Sequence, residues 1–158
     1  MTSDPETFMR RAVELSERGM RDRAGGPFGA VIVRDGEVVA EGWNQVTSRN
    51  DPSAHAEIVA IREACARLGT FSLAGCEIHA SAEPCPMCLA AIYWARLDRL
   101  YYANSRADAA AIGFDDAFIY DEIAKPVEQR TLPTVRVASR DALSVFRAWP
   151  EIDGKVDY

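Results

Sequence analysis

The stretch "CEIHASAEPCPMCLAAIYWARLDRLYYAN", residues 76–104, decides the fold. "CEIHAS" (76–81) reads as a short strand, "PMCLAAIYWARL" (86–97) as a helix and "RLYYAN" (99–104) as another strand. A strand, a helix and a strand within thirty residues make a parallel pair with a right-handed crossover. The same stretch holds three of the chain's four cysteines; two of them, Cys85 and Cys88, stand three apart, with Pro84 and Pro86 on either side of Cys85.

Working outward, Asp4 and Pro5 start a helix as N-cap and first helical residue. Phe8, Ala12, Leu15 and Gly19 then recur at helical spacing. "GGPFG" (25–29) breaks the chain, and "AVIVRDGEVVAEGW" (30–43) is a hairpin turning at Asp35-Gly36. Ser53 or Asp51 caps a helix from about 54 to 68, closed by Gly69. After Asn104 comes a loop, then the helical "DDAFIYDEIA" (115–124), which Pro126 stops. "TVRVAS" (134–139) predicts a fifth strand, and "RDALSVFRAW" (140–149) a last helix ended by Pro150. The order is α-β-β-α-β-α-β-α-β-α. It implies the α/β class: three α/β/α layers around a mixed five-stranded sheet with an antiparallel N-terminal hairpin. The 158 residues suit one domain, 1–158, whose last part, 139–158, is a helix and tail.

Apolar residues make up 48% and charged residues 27%, ordinary values for a globular protein. The net charge of −6 argues against general nucleic-acid binding. The early acids of "MTSDPETFMRRAVEL" do not match a secretory signal. No apolar run approaches the roughly 18 residues of a membrane span. The expected location is the cytoplasm, where disulfides are rare. Cys65 and Cys76 sit in apolar surroundings and read as small buried hydrophobes.

Cys85 and Cys88 could form a redox pair or half of a structural zinc site. A second C-x-x-C is lacking, and the chain has two histidines. His79 falls mid-strand and reads as a packed residue. A catalytic zinc needs three protein ligands and an open position for water, and His55, Cys85 and Cys88 supply the three. All fall at predicted helix N-termini, which favour thiolates. Glu57 is the carboxylate that would carry protons. Residues two apart lie about 200° apart around a helix. His55 and Glu57 therefore converge on one metal only at the helix end.

His55-Ala56-Glu57 and Pro84-Cys85-Pro86-Met87-Cys88 together form the H-x-E…P-C-x-x-C pattern of zinc deaminases. The chain resembles the cytidine deaminase-like superfamily and, within it, the bacterial guanine deaminases. The likeness covers nearly all of it: "GGPFGAVIV" (25–33), "NDPSAHAE" (50–57), "EPCPMCLAAIYWAR" (83–96), "GFDDAFIY" (113–120) and the terminal Tyr158. The first three stretches are partly shared with tRNA adenosine deaminases; the last two point to guanine. Ala90 stands where the family pattern leads one to expect glycine.

The resemblance implies zinc-dependent hydrolysis of guanine to xanthine and ammonia, with one Zn2+ per subunit. Glu57 would move the protons. Phe28 and Trp94 would pack against the purine, Asn44 and the backbone of Ala56 would bond its edge, and Asp116 would face its amino side. It also implies a homodimer in which segment 139–158 crosses to the partner and Tyr158 closes the partner's pocket. The implied partner is a small purine base, with no nucleic acid and no membrane. A guanosine deaminase would share these motifs. A tRNA adenosine deaminase would need a basic surface, which the mixed-charge tail lacks. A structural zinc module would not need Glu57.

Overall fold

The computed structural model describes residues 4–158. It divides into two compact units, one through Ala117 and one from Phe118 to Tyr158. The first opens with helix α1, Pro5–Arg21. Asp4 caps it, its side chain accepting from the Glu6 amide at 3.1 Å. Strands β1 (Gly29–Arg34) and β2 (Glu37–Trp43) form the expected hairpin. Asp35 and Gly36 both take positive φ, 51° and 78°, as a tight hairpin turn requires. A short helix α2 (Val46–Arg49) leads to α3 (Ala56–Leu68), then β3 (Cys76–Ala82), α4 (Pro86–Trp94), β4 (Arg99–Asn104) and α5 (Arg106–Ala111).

The sheet order is β2-β1-β3-β4. β1 is antiparallel to both neighbours, and β3 and β4 run parallel around the α4 crossover. Phe8, Ala12 and Leu15 of α1 pack on Val31 and Val33 on one face. Ala56, Ala60 and Ala64 of α3 and Ile92 of α4 pack on Ala30, Ile32, Ala40 and Ile78 on the other. This is the expected three-layer arrangement. Two glycines let the layers close. A Cβ on Gly29 would lie 2.1 Å from the Ala12 carbonyl oxygen, and one on Gly42 would lie 2.3 Å from that of Ala56.

The sheet has four strands, not the five expected. "TVRVAS" carries the alternation of a strand but lacks a ladder partner among the described residues, and Val135 and Val137 are 81% and 84% exposed. A strand exists by pairing, so alternation alone does not make one. α3 also starts two residues later than expected, with His55 itself as N-cap. Asp51 and Ser53 instead close the preceding turn, Asp51 accepting from the Ser53 amide at 2.8 Å and its hydroxyl at 2.6 Å.

The second unit holds most of α6 (Ala117–Ala124), a 3-10 turn at Val127–Gln129, and α7 (Arg140–Ala148). Glu122 accepts from the Thr131 amide, its hydroxyl and Lys125. Ser139 caps α7 through the Ala142 amide. Residues 131–154 are all exposed, Leu132, Phe146 and Trp149 included. Among the described residues no helix is long and apolar enough to cross a membrane.

Candidate metal centre and active site

His55 is the N-cap of α3 and Cys85 the N-cap of α4, with Cys88 in the first turn of α4. The β2–α3 and β3–α4 connections bring these two helix ends together. His55 Nδ1 lies 3.5 Å from Cys85 Sγ and 3.6 Å from Cys88 Sγ. The three ligand atoms all fall within 4.8 Å of one another. Glu57, second residue of α3, is buried with 7% exposure. The i, i+2 pair converges because the helix has only begun at His55.

The electrostatics call for a cation. Cys85 is drawn down to about 4 by the Cys88 thiol and by His55. Cys88 is pushed up by its bond to Cys85, by burial and by Glu57. Burial pushes Glu57 up as well, and the Cys85 contact raises His55. Two thiols and a buried carboxylate, all acidic groups, thus meet at one point. A divalent cation would let both thiols ionise. One imidazole and two thiolates are zinc ligands, and three protein ligands leave a position open. The donor set fits zinc.

The other expected residues stand in different settings. Asn44 is buried, and its Oδ1 accepts from the Gly26 amide at 3.3 Å and the Val46 amide at 3.1 Å. Its amide nitrogen is thereby the group turned toward anything else. Phe28 stacks edge-on against Phe114, centroids 4.9 Å apart, and its carbonyl accepts from the Asn44 amide. Ala56 is fully buried at the first turn of α3, where amides have no intrahelical acceptor. Trp94 sits at the other end of α4, about 9 Å of helix axis from Cys88, and is 64% exposed. Tyr158 belongs to the second unit and is 72% exposed.

Asp116 differs from its neighbour. Asp115 accepts from the Ala117 amide at 2.9 Å and so serves the start of α6. Asp116 does not serve that amide; its Oδ1 accepts from Arg106 Nε at 3.2 Å. Sequence reasoning passed over Arg106 and Glu83. The signal was the Ser105/Asp108 capping box, which starts α5 where a loop was expected. His79 is buried against Phe8 and Tyr101, the packed setting expected of it. A groove of about 520 Å³ between β2 and α3 contains none of the cluster residues.

Comparison with known proteins agrees with this geometry. Residues 2–104 match the family model for the cytidine and deoxycytidylate deaminase zinc-binding region. The chain is 54% identical to the guanine deaminase of Bacillus subtilis over 97% of its length and 98% of the relative's. The crystal structure of a Bacillus subtilis guanine deaminase superposes with a TM-score of 0.96 at 54% identity, covering 98% of this chain and 99% of that one. The tRNA-specific adenosine deaminase of Agrobacterium fabrum is 45% identical over 66% of this chain and 68% of its own. The chain belongs to the guanine deaminases, within the cytidine and deoxycytidylate deaminase family.

Proposed function

We propose that the protein hydrolyses guanine to xanthine and ammonia, with one zinc per subunit held by His55, Cys85 and Cys88. The observation that carries the chemistry is the convergence of those ligand atoms within 4.8 Å beside the buried Glu57. The near full-length identity to a guanine deaminase carries the substrate. Zinc bound in this set would activate a water and leave the protein to orient the base and move protons. Glu57 takes one proton from the water and delivers it to the ring nitrogen; it then takes the second from the hydroxyl added to the carbon and gives it to the amine, which leaves as ammonia. The carbon gains the water oxygen as it loses nitrogen.

Asn44 presents its NH2 to an acceptor on the purine edge, because two backbone amides already hold its oxygen. The Ala56 amide offers a second donor. Phe28, braced by Phe114, supplies an apolar wall. Asp116 accepts from the N–H groups on the amino side. Trp94 and Tyr158 complete the packing around the base, and Tyr158 arrives from a partner subunit. The support for exchange is the second unit itself: residues 131–154 are exposed throughout, with apolar side chains that gain by being covered. The working form is then a homodimer with segments 139–158 exchanged, acting on a free base in the cytoplasm without nucleic acid or membrane.

Ammonia release from a panel of guanine, guanosine, adenine and tRNA tests the reading. Guanine should react and give xanthine. Inosine formation in tRNA, or reaction of guanosine in preference to guanine, would overturn it.

A further inference from the structure

Arg106 is the first residue of α5, a position where a cation opposes the helix dipole. The helix does not need it, because Ser105 and Asp108 cap that end reciprocally, with Ser105 Oγ accepting from the Asp108 amide and Asp108 accepting from the Ser105 amide at 2.8 Å. The Arg106 side chain instead reaches across ten residues to Asp116 Oδ1, at 3.2 Å. Its backbone amide donates to Glu83 Oε2 at 3.1 Å. The Glu83 amide in turn donates to the Asn104 carbonyl at 2.8 Å. Glu83 stands two residues before Cys85. A short frame therefore runs from the metal-binding turn through Glu83 and Arg106 to Asp116.

We infer that Arg106 is a positioning residue for Asp116: its guanidinium fixes one carboxylate oxygen and aims the other at the N–H groups of the purine's amino edge. This rests on the proposed contact between Asp116 and guanine. A carboxylate has acceptor capacity at both oxygens, so an arginine on Oδ1 leaves Oδ2 for a donor. The Asp116 side chain is 17% exposed and that of Arg106 38%, so solvent screens the pair and it adds little to stability. Its effect is directional. A carboxylate free to rotate loses the alignment that a bound near-attack geometry needs. The division of labour supports this, since Asp115 takes the helix-capping role that would otherwise occupy Asp116.

The test uses the zinc-loaded protein and four variants: Arg106→Ala, Arg106→Lys, Asp116→Asn and the double variant Arg106→Ala/Asp116→Asn. Arg106→Ala should lower kcat/KM for guanine about tenfold to a hundredfold, with zinc content and unfolding midpoint as in the parent. Arg106→Lys should recover part of the loss, keeping charge without the planar fork. In the Asp116→Asn background, removing Arg106 should change kcat/KM less than about twofold, because the group it aims is gone. Additive losses, a silent Arg106→Ala, or loss of zinc from that variant would each overturn the inference while leaving the proposed reaction standing. A fully active Asp116→Asn would instead remove the contact between Asp116 and guanine, and this inference with it.

Discussion

Glu57 and His79 are both buried ionisable residues, and they illustrate opposite uses of burial. Glu57 lies against the thiols, where its side chain would face a water on a metal held by the same cluster. Glu57→Gln should keep zinc and guanine binding, since the amide retains size and shape. Turnover should fall by at least about 10², the scale of general acid–base catalysis. A variant that turns over at the parent rate with full zinc would remove Glu57 from the chemistry. His79 lies outside that cluster. Its ring stacks on Tyr101 at 4.5 Å and meets Phe8 at 5.2 Å, and neither nitrogen has a hydrogen-bond partner among the described residues. Burial holds its pKa below the ordinary value, with Glu77 opposing weakly. The unfolded chain takes up a proton as pH falls through about 6.5; the folded chain does so only at lower pH. The stability that a neutral His79 allows is therefore full above about 6.5 and is lost as pH falls toward the depressed folded value. Denaturant midpoints at pH 7.5 and 5.5 should show a larger loss for the parent than for His79→Phe. Equal losses would mean that His79 titrates alike folded and unfolded.

Among the elements, the helix starts carry the site and the glycines set where those starts lie. Gly42 of β2 faces α3, and a Cβ there would lie 2.3 Å from the Ala56 oxygen and 2.7 Å from the Ala60 nitrogen. Backbone cannot yield as a side-chain tip can, so Gly42→Ala must push the first turn of α3 outward. That turn bears His55 and Glu57. Overpacking of this kind costs roughly 1–3 kcal/mol. Gly29→Ala presses α1 in the same way on the opposite face. Both variants should lose stability, but Gly42→Ala alone should give up zinc to a competing chelator more readily than the parent. Equal zinc retention would mean that α3 absorbs the strain without moving its N-terminus. Much of this was legible in the chain. Asp4-Pro5, Asp35-Gly36, Gly69 and the strand–helix–strand of 76–104 announce their structures locally, because caps and turns are short-range physics. The grouping of His55, Cys85 and Cys88 was legible because metal chemistry restricts residue types. What escaped was long-range: the Arg106–Asp116 pair joins residues whose meeting depends on α5, and "TVRVAS" has a strand's alternation without a strand's partner.

At the scale of the whole molecule, the question is what the second unit covers. Half of its segment "EIDGKVDY" (151–158) is charged, and Gly154 takes a positive φ of 70°, a bend favourable to glycine. α7 is amphipathic, with Phe146 79% and Val145 68% exposed, and the aromatic Tyr158 is 72% exposed. Burial against a second copy would remove that apolar area from water, and exchange of identical segments gives a symmetric dimer at low cost. Closure over the partner's cluster would also keep bulk water from the reaction. Deleting residues 154–158 should leave zinc bound and the fold intact but cut kcat/KM for guanine sharply. The exchange itself is tested by mixing. A chain lacking 154–158 keeps Glu57, and a Glu57→Gln chain keeps its tail; each homodimer should be nearly inactive. In a mixed dimer the truncated subunit can borrow the other's tail, so one complete site should return and activity should rise toward half that of the parent. No recovery, in a dimer shown by differential tagging to be mixed, would mean that each tail serves its own subunit.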